Sequence, residues 1–208
     1  MTSVATQVPT GAPTGTPTDL AAATRGRILD VAQRLIQDHG YNGFSYRDVA
    51  AEVGIRAPTI HHYFPTKADL AAALVERYAA GVATLRAALS RDEPLAWKRL
   101  ARYFEATRQM MLEKRQLCLC GVLAVEANSL PDQVRAGVDR FFEDGRAWVA
   151  EQLRQAKGLG QIDFAGAATD VGAMIVSTLQ GGLILARASK TPEPYDASVK
   201  QVCRFLGF

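Results

Sequence analysis

From Ile28 to Leu206 the apolar residues of this sequence recur at intervals of three to four, and no segment sustains an alternation of period two. That spacing lines up side chains on one face of a helix and leaves nothing to build the half-buried face of a sheet. The fold class expected is therefore all-α, with about nine helices. With 48% apolar and 22% charged residues over 208 positions, the chain is too apolar for a disordered one and long enough to bury a sizeable core.

Punctuation divides the pattern. Residues 1–20 are rich in Thr, Pro and Gly and read as a disordered lead with no function assigned. Thr24 is a plausible N-cap for a first helix through Ile28, Ala32, Leu35 and Ile36, stopped at His39-Gly40. Ser45 caps a short helix to Val53, Gly54 breaks it, and Ala57 to Tyr63 forms another, ended by Pro65. A long helix from Thr66 or Lys67 carries Leu70, Leu74, Tyr78, Val82, Leu85 and Leu89. Further helices are expected from Pro94 to about Met111, from Cys120 to Leu130, from about Val134 to Gly158, over Phe164–Ala188 and over Asp196–Leu206. The domain reading is a lead over 1–20, a compact unit over 21–66 and a larger helical domain over 67–208.

The compact unit has the spacing of a helix-turn-helix. Two short helices that cross steeply need a small residue at their contact, a glycine able to take positive φ between them, and apolar residues turned inward. Ala50 is the small contact, Gly54 the turn, and Val49, Val53, Ile55, Ile60 and Tyr63 pack the pair onto the first helix. Packing then fixes the opposite face, so Arg56, Ala57, Thr59, His61 and His62 point outward, where a DNA major groove accepts one helix. Net charge does not announce this role, because residues 24–70 hold six Lys or Arg against five Asp or Glu. A non-binding helical corner has the same spacing, so the pattern alone leaves that alternative open.

The next segment narrows it. His61-His62-Tyr63-Phe64-Pro65-Thr66-Lys67-Ala68-Asp69-Leu70, with Gly40, Phe44-Ser45, Arg47-Asp48-Val49-Ala50 and Val53-Gly54, resembles the signature of TetR-type transcriptional regulators. The resemblance is strong from Thr24 to about Leu74 and general beyond. It implies that Ser45 and Arg47 anchor the DNA backbone, that Thr59, His61 and His62 lie in the groove, and that Tyr63 and Lys67 reach phosphates. The arm before the first helix offers only Arg25 and Arg27, and Ala57-Pro58 stands where many members have a polar or basic residue followed by Gly.

The resemblance also implies a homodimer, an operator of near-palindromic double-stranded DNA and a small-molecule effector that releases a repressor from it. The sequence adds its own support for pairing through the last two helices. Gly166, Ala173, Ser177 and Gly181 permit close approach on the 164–188 segment, while Val171, Ile175, Leu179, Leu183 and Ile184 leave it little polar surface. Its charge-free run between Asp170 and Arg187 is slightly short for a bilayer, so no membrane partner is expected. An effector pocket is expected from Trp97, Tyr103, Phe104, Thr107, Met110, Met111, Cys118, Phe141 and Trp148, although such stripes also build plain core.

Arg115 to Gly121, with Glu126 and Leu130-Pro131, is similar to a segment of a TetR-type branch that responds to reactive electrophiles or small unsaturated acids. On that reading Arg115 lowers the Cys118 pKa and makes it a sensor; the alternative keeps Cys118 and Cys120 as buried small hydrophobes. No catalytic residue, metal site or cofactor is expected, since the histidines all fall within the first 62 residues and the cysteines all beyond 117. The free odd thiol count and the lack of a visible signal segment give a cytoplasmic expectation. The competing function is an all-α small-molecule carrier or enzyme without DNA binding.

Overall fold

The computed structural model describes residues 17–114 and 116–208, with side chains described over 18–110 and 116–208. Residues 1–16 of the expected lead, Arg115 and the Met111 side chain lie outside the described residues. Among them are nine α-helices and no strand: α1 Pro17–His39, α2 Tyr46–Val53, α3 Ala57–Tyr63, α4 Lys67–Asp92, α5 Ala96–Lys114, α6 Leu119–Val125, α7 Asp132–Gly158, α8 Ala168–Ser189 and α9 Glu193–Leu206. A 3-10 turn, Ala127–Ser129, follows α6 where one continuous helix to Leu130 was expected.

Two expectations at the N-terminus change. Helix α1 begins at Pro17, so positions 17–20 are helical, and Thr24 lies inside it with its hydroxyl donating to the Leu20 carbonyl at 2.9 Å. A Ser or Thr hydroxyl bonds back to the i−4 carbonyl as readily as it caps, which hides an N-terminal extension from a cap-based reading.

Helices α1 to α3 and the first half of α4 share one core built on Ile28, Leu29, Ile36, Val49, Ile60, Leu70 and Leu74, each at most 2% exposed. The turn is built as its residues dictate. Gly54 has φ 75° and ψ 36°, and both its N–H and that of Ile55 donate to the Ala50 carbonyl at 3.0 Å. Ser45 and Asp48 close a capping box at the start of α2, and Thr66 and Asp69 close another at the start of α4. Fixed caps at both ends hold α3 in one orientation.

The larger domain is a bundle around α7, which packs against α4, α5, α6 and α8, while α8 lies between α7 and α9. Helix α8 is long and apolar enough to cross a membrane by length and composition. Val171, Ile175, Leu179, Leu183 and Ala186 are instead buried within the protein, and Met174, Ile184 and Leu185 are exposed on its other side. Gly166 precedes α8 in a turn with positive φ and does not belong to its small-residue face. Helix α4 is inverted relative to the sequence pattern at one point: Leu85 is exposed, and Arg86, the residue beside it, is buried.

A Cβ at position 54 meets nothing within 4 Å, so its cost is conformational alone. Gly54→Ala is expected to destabilise the protein by about 1–2 kcal/mol through the left-handed backbone, measured by urea denaturation.

Candidate nucleic-acid interface and regulatory core

On α3, Ile60 is fully buried and Thr59, His61 and His62 are exposed, while Ala57 and Tyr63 are half-buried. Arg47 and Arg56 are exposed on either side of the turn and form no ion pair among the described residues. Arg34, by contrast, is paired with Glu52, and Arg27 donates to the Val53 carbonyl, so both hold the scaffold. The Arg25 guanidinium lies over the Phe64 ring at 5.0 Å, which places it beside the unit, with no ion pair among the described residues.

Two expected contacts are already engaged inside the protein. The Lys67 ammonium donates to the Phe44 carbonyl at 2.6 Å and sits 4.3 Å and 4.8 Å from the Phe44 and Tyr41 ring centres. Burial there lowers its pKa against the pull of Glu126 and Asp48. The Ser45 hydroxyl and N–H both donate to the Asp48 carboxylate, at 2.7 Å. Residue type and position suggested free donors at both sites. The three-dimensional neighbours that use them, Phe44 and Tyr41 across the turn, carried no separate signal.

Tyr46 escaped the sequence reading. Its hydroxyl donates to the Phe64 carbonyl at 2.8 Å, its ring lies 4.7 Å from that of His61, and burial, more than the nearby Asp69, pushes its pKa up to about 12. It therefore remains a donor throughout the physiological range. His61 Nδ1 stands 3.1 Å from the Pro65 carbonyl, which can only accept. In that bond Nδ1 is the donor, and Nε2 forms no hydrogen bond among the described residues.

The seam between this unit and the larger domain is polar and well made. Glu126, at the end of α6, accepts from the Tyr41 N–H at 2.8 Å, the Asn42 N–H at 3.1 Å and the Asn42 amide at 2.8 Å. Gly40, with φ 80°, leaves the carboxylate its seat, because a Cβ there would collide with Glu126. Gln37 donates to the Leu117 carbonyl at 2.6 Å, and Arg187 of α8 donates to the Gln37 carbonyl at 3.0 Å. A cavity of about 310 Å³ lies along this seam, bordered by Gln37, Leu117, Cys118, Gln180 and Arg187.

The expected effector residues divide. Tyr103, Phe141 and Trp148 come together inside α4, α5 and α7, with Tyr103 and Trp148 ring centres 5.1 Å apart. Tyr78 joins them, 5.5 Å from Phe141, with its hydroxyl donating to the Met110 sulfur at 3.6 Å. Trp97 instead packs on Phe208, and Phe104 and Thr107 turn toward Tyr195 of α9, whose hydroxyl donates to the Phe104 carbonyl. The residue at the centre of the cluster, Arg86, was not anticipated. Its signal was the four-residue step from Tyr78 through Val82, obscured by the more apolar Leu85.

Of the two alternatives for Cys118 and Cys120, the structure supports the buried small hydrophobes. Cys118 and Cys120 are buried, and desolvation pushes both thiols up, which keeps them protonated at neutral pH.

A short capped helix pair with an exposed polar face, joined to a helical bundle by a hydrogen-bonded seam, defines a helix-turn-helix DNA-binding regulator. Residues 28–74 match the model of the bacterial regulatory proteins of the tetR family, and residues 96–201 match the C-terminal domain of LmrA/YxaF-like transcriptional regulators. The chain belongs to the TetR family of transcriptional regulators. A TetR family regulator from Agrobacterium tumefaciens has the same fold with a TM-score of 0.86 and 28% identity, over 89% of this chain and 99% of that one. An HTH-type transcriptional regulator in the lacX 3′ region of Lactococcus lactis is 27% identical over 80% of this chain and 85% of its own. The HTH-type transcriptional repressor NemR of Escherichia coli is 21% identical over 86% and 92% respectively.

The two cations above separate by experiment. Arg47→Ala is expected to weaken DNA binding and reduce the slope of log affinity against log salt by about 1. Lys67→Met is expected to cost about 1–2 kcal/mol of folding stability and leave that slope unchanged, as read by fluorescence anisotropy and urea denaturation.

Proposed function

We propose that this protein is a homodimeric, effector-controlled repressor acting in the cytoplasm, which binds a near-palindromic operator and is released from it by a small molecule. The observation that carries the reading is the uncommitted outer face of α3. Thr59, His61 and His62 are exposed, and Arg47 and Arg56 flank them with no ion pair among the described residues. Such a face has the width and donor set to enter a major groove while its flanking cations meet phosphates. The repressor sense follows the name of the NemR relative, and the family favours this reading over an enzyme or carrier.

The dimer reading rests on α8 and α9. Met174, Leu185 and Phe205 are 42%, 58% and 45% exposed, and Ser177 and Gly181 lie on the same side of α8. A stripe of small residues flanked by exposed large apolar ones fits a second copy of the same helices. Pairing there doubles each groove contact, which matters for a unit with so little net positive charge.

Effector control runs through the seam. Arg77 of α4 pairs with Asp30 at 2.7 Å and bonds Gln33, so α1 and α4 are tied together before α1 reaches Glu126 and Arg187. A ligand that shifts α4, α6 or α8 must therefore alter α1 and the helix pair it carries, provided its affinity differs between the two arrangements.

Thr59→Ala with His62→Ala is expected to abolish sequence-dependent DNA binding at physiological salt while light scattering still gives a dimer mass. Retained sequence preference, or a monomer mass for the wild type at micromolar concentration, would refute the reading. Glu126→Ala should cost about 1–3 kcal/mol by leaving backbone N–H groups unpaired, and should weaken operator binding by effector-free protein without changing its salt slope.

A further inference from the structure

We infer that the regulatory domain contains an anion site centred on Arg86, and that the effector it accepts is a small carboxylate with a flat, apolar body. This deepens the effector reading above and rests on it.

Arg86 lies in the second half of α4 and is 7% exposed. Its guanidinium carbon stands 5.3, 5.8 and 6.0 Å from the ring centres of Tyr103, Phe141 and Trp148. Among the described residues it donates one hydrogen bond, from Nη2 to the Tyr103 hydroxyl at 3.0 Å, and its Nε is buried without a partner. No carboxylate is paired with it there; the buried acid nearest in sequence, Glu93, is held by Arg102 at 3.0 Å.

A buried cation without a counter-ion is costly, and three aromatic faces return only part of that cost. Packing alone would favour an apolar residue, as Val82 supplies one turn earlier on the same stripe. The surroundings instead accommodate the charge. A Cβ at position 145 would stand 3.0 Å from Nη2, so Gly145 leaves the guanidinium its room. The Trp148 indole N–H donates to the Ser90 hydroxyl at 3.2 Å, which fixes that ring against the cation.

A carboxylate completes the arrangement. The Nε and Nη edge of a guanidinium matches two carboxylate oxygens in a planar fork, and Nε is the atom now unsatisfied. Tyr103, Phe141 and Trp148 surround the guanidinium, so a flat ligand body would pack against their rings once the cluster parts. Because Arg86 is buried and its Nε is closed off from solvent, entry requires α4 and α7 to yield. Helix α4 also carries Leu70 and Leu74 in the core of the DNA-binding unit, so that movement is delivered to α1 and α3.

The test uses the full-length protein, isothermal titration calorimetry and thermal melting. Benzoate and cinnamate are compared with benzamide and cinnamamide at one ionic strength. The carboxylates are expected to bind at least about tenfold more tightly than the matched amides and to raise the melting temperature. Arg86→Met should melt at or above the wild-type temperature without ligand and lose the preference for carboxylates. Arg86→Lys, which keeps the charge but not the fork, should weaken carboxylate binding while retaining a preference over amides. Equal binding of acid and amide, no binding of either, or a preference that survives Arg86→Met overturns the inference. Operator anisotropy in the same titrations separates the two proposals. Carboxylates that bind through Arg86 yet leave the DNA complex intact refute effector control and keep the anion site. Release of DNA by the amides as readily as by the acids refutes the anion site and keeps effector control.

Discussion

The C-terminal end of α1 is where the two parts of this protein become one mechanical unit. A helix end presents unpaired carbonyls and a partial negative charge, and Arg187 meets the Gln37 and Asp38 carbonyls there at 3.0 and 3.4 Å. The turn that follows presents the opposite polarity, N–H groups at Tyr41 and Asn42, and Glu126 meets those. Opposite charges from α8 and α6 thus grip adjacent positions of one chain segment. Neither can slide along it without leaving a polar group unpaired, so the position of the DNA-binding unit is set by two helices of the regulatory domain.

This explains why the small unit does not have to supply all of its own rigidity. Its core is complete around Ile28, Val49, Ile60 and Leu70, but α2 and α3 have only eight and seven residues, short enough to be marginal in isolation. Capping boxes at Ser45 and Thr66, the Tyr46 bond to Phe64 and the Lys67 bond to Phe44 brace the corner from outside the apolar core. Lys67 and Ser45 spend their polar atoms on this bracing. Thr59, His62, Arg47 and Arg56 are exposed and form no ion pair among the described residues, which supports the groove contacts proposed for them.

What the sequence made legible follows the same division. Ala50, Gly54 and Ile60 are constrained by local geometry, and their spacing alone identified their roles; the all-α class and the outward face of α3 followed from periodicity. Features that depend on partners distant in sequence were hidden. Lys67 is turned inward by a carbonyl 23 residues earlier, and Glu126 grips a turn 85 residues away. Arg86 was passed over because a hydrophobicity pattern assigns the inside position to the leucine beside it, whereas the step of four from Tyr78 and Val82 assigns it to the arginine. The choice between the two Cys118 alternatives was hidden for a related reason: a basic residue nearby in sequence favours a lowered pKa, but burial acts in the other direction and outweighs it.

Helix α4 joins these observations into a mechanism with a definite scale. At 1.5 Å per residue, the 19 steps from Lys67 to Arg86 span about 29 Å. A tilt of about 5° around the Arg86 end would therefore carry the Lys67 end by about 2.5 Å, close to the length of one hydrogen bond. Lys67, bonded to Phe44, and Arg77, bonded to Asp30, would pass that displacement to the turn before α2 and to α1. In a dimer whose two recognition helices must fit half-sites about 34 Å apart, opposed shifts of this size on both sides are large relative to the tolerance of base contacts. On the inference drawn for Arg86, a ligand entering that cluster would misplace the proposed reading face at the other end of a stiff helix without unfolding either domain.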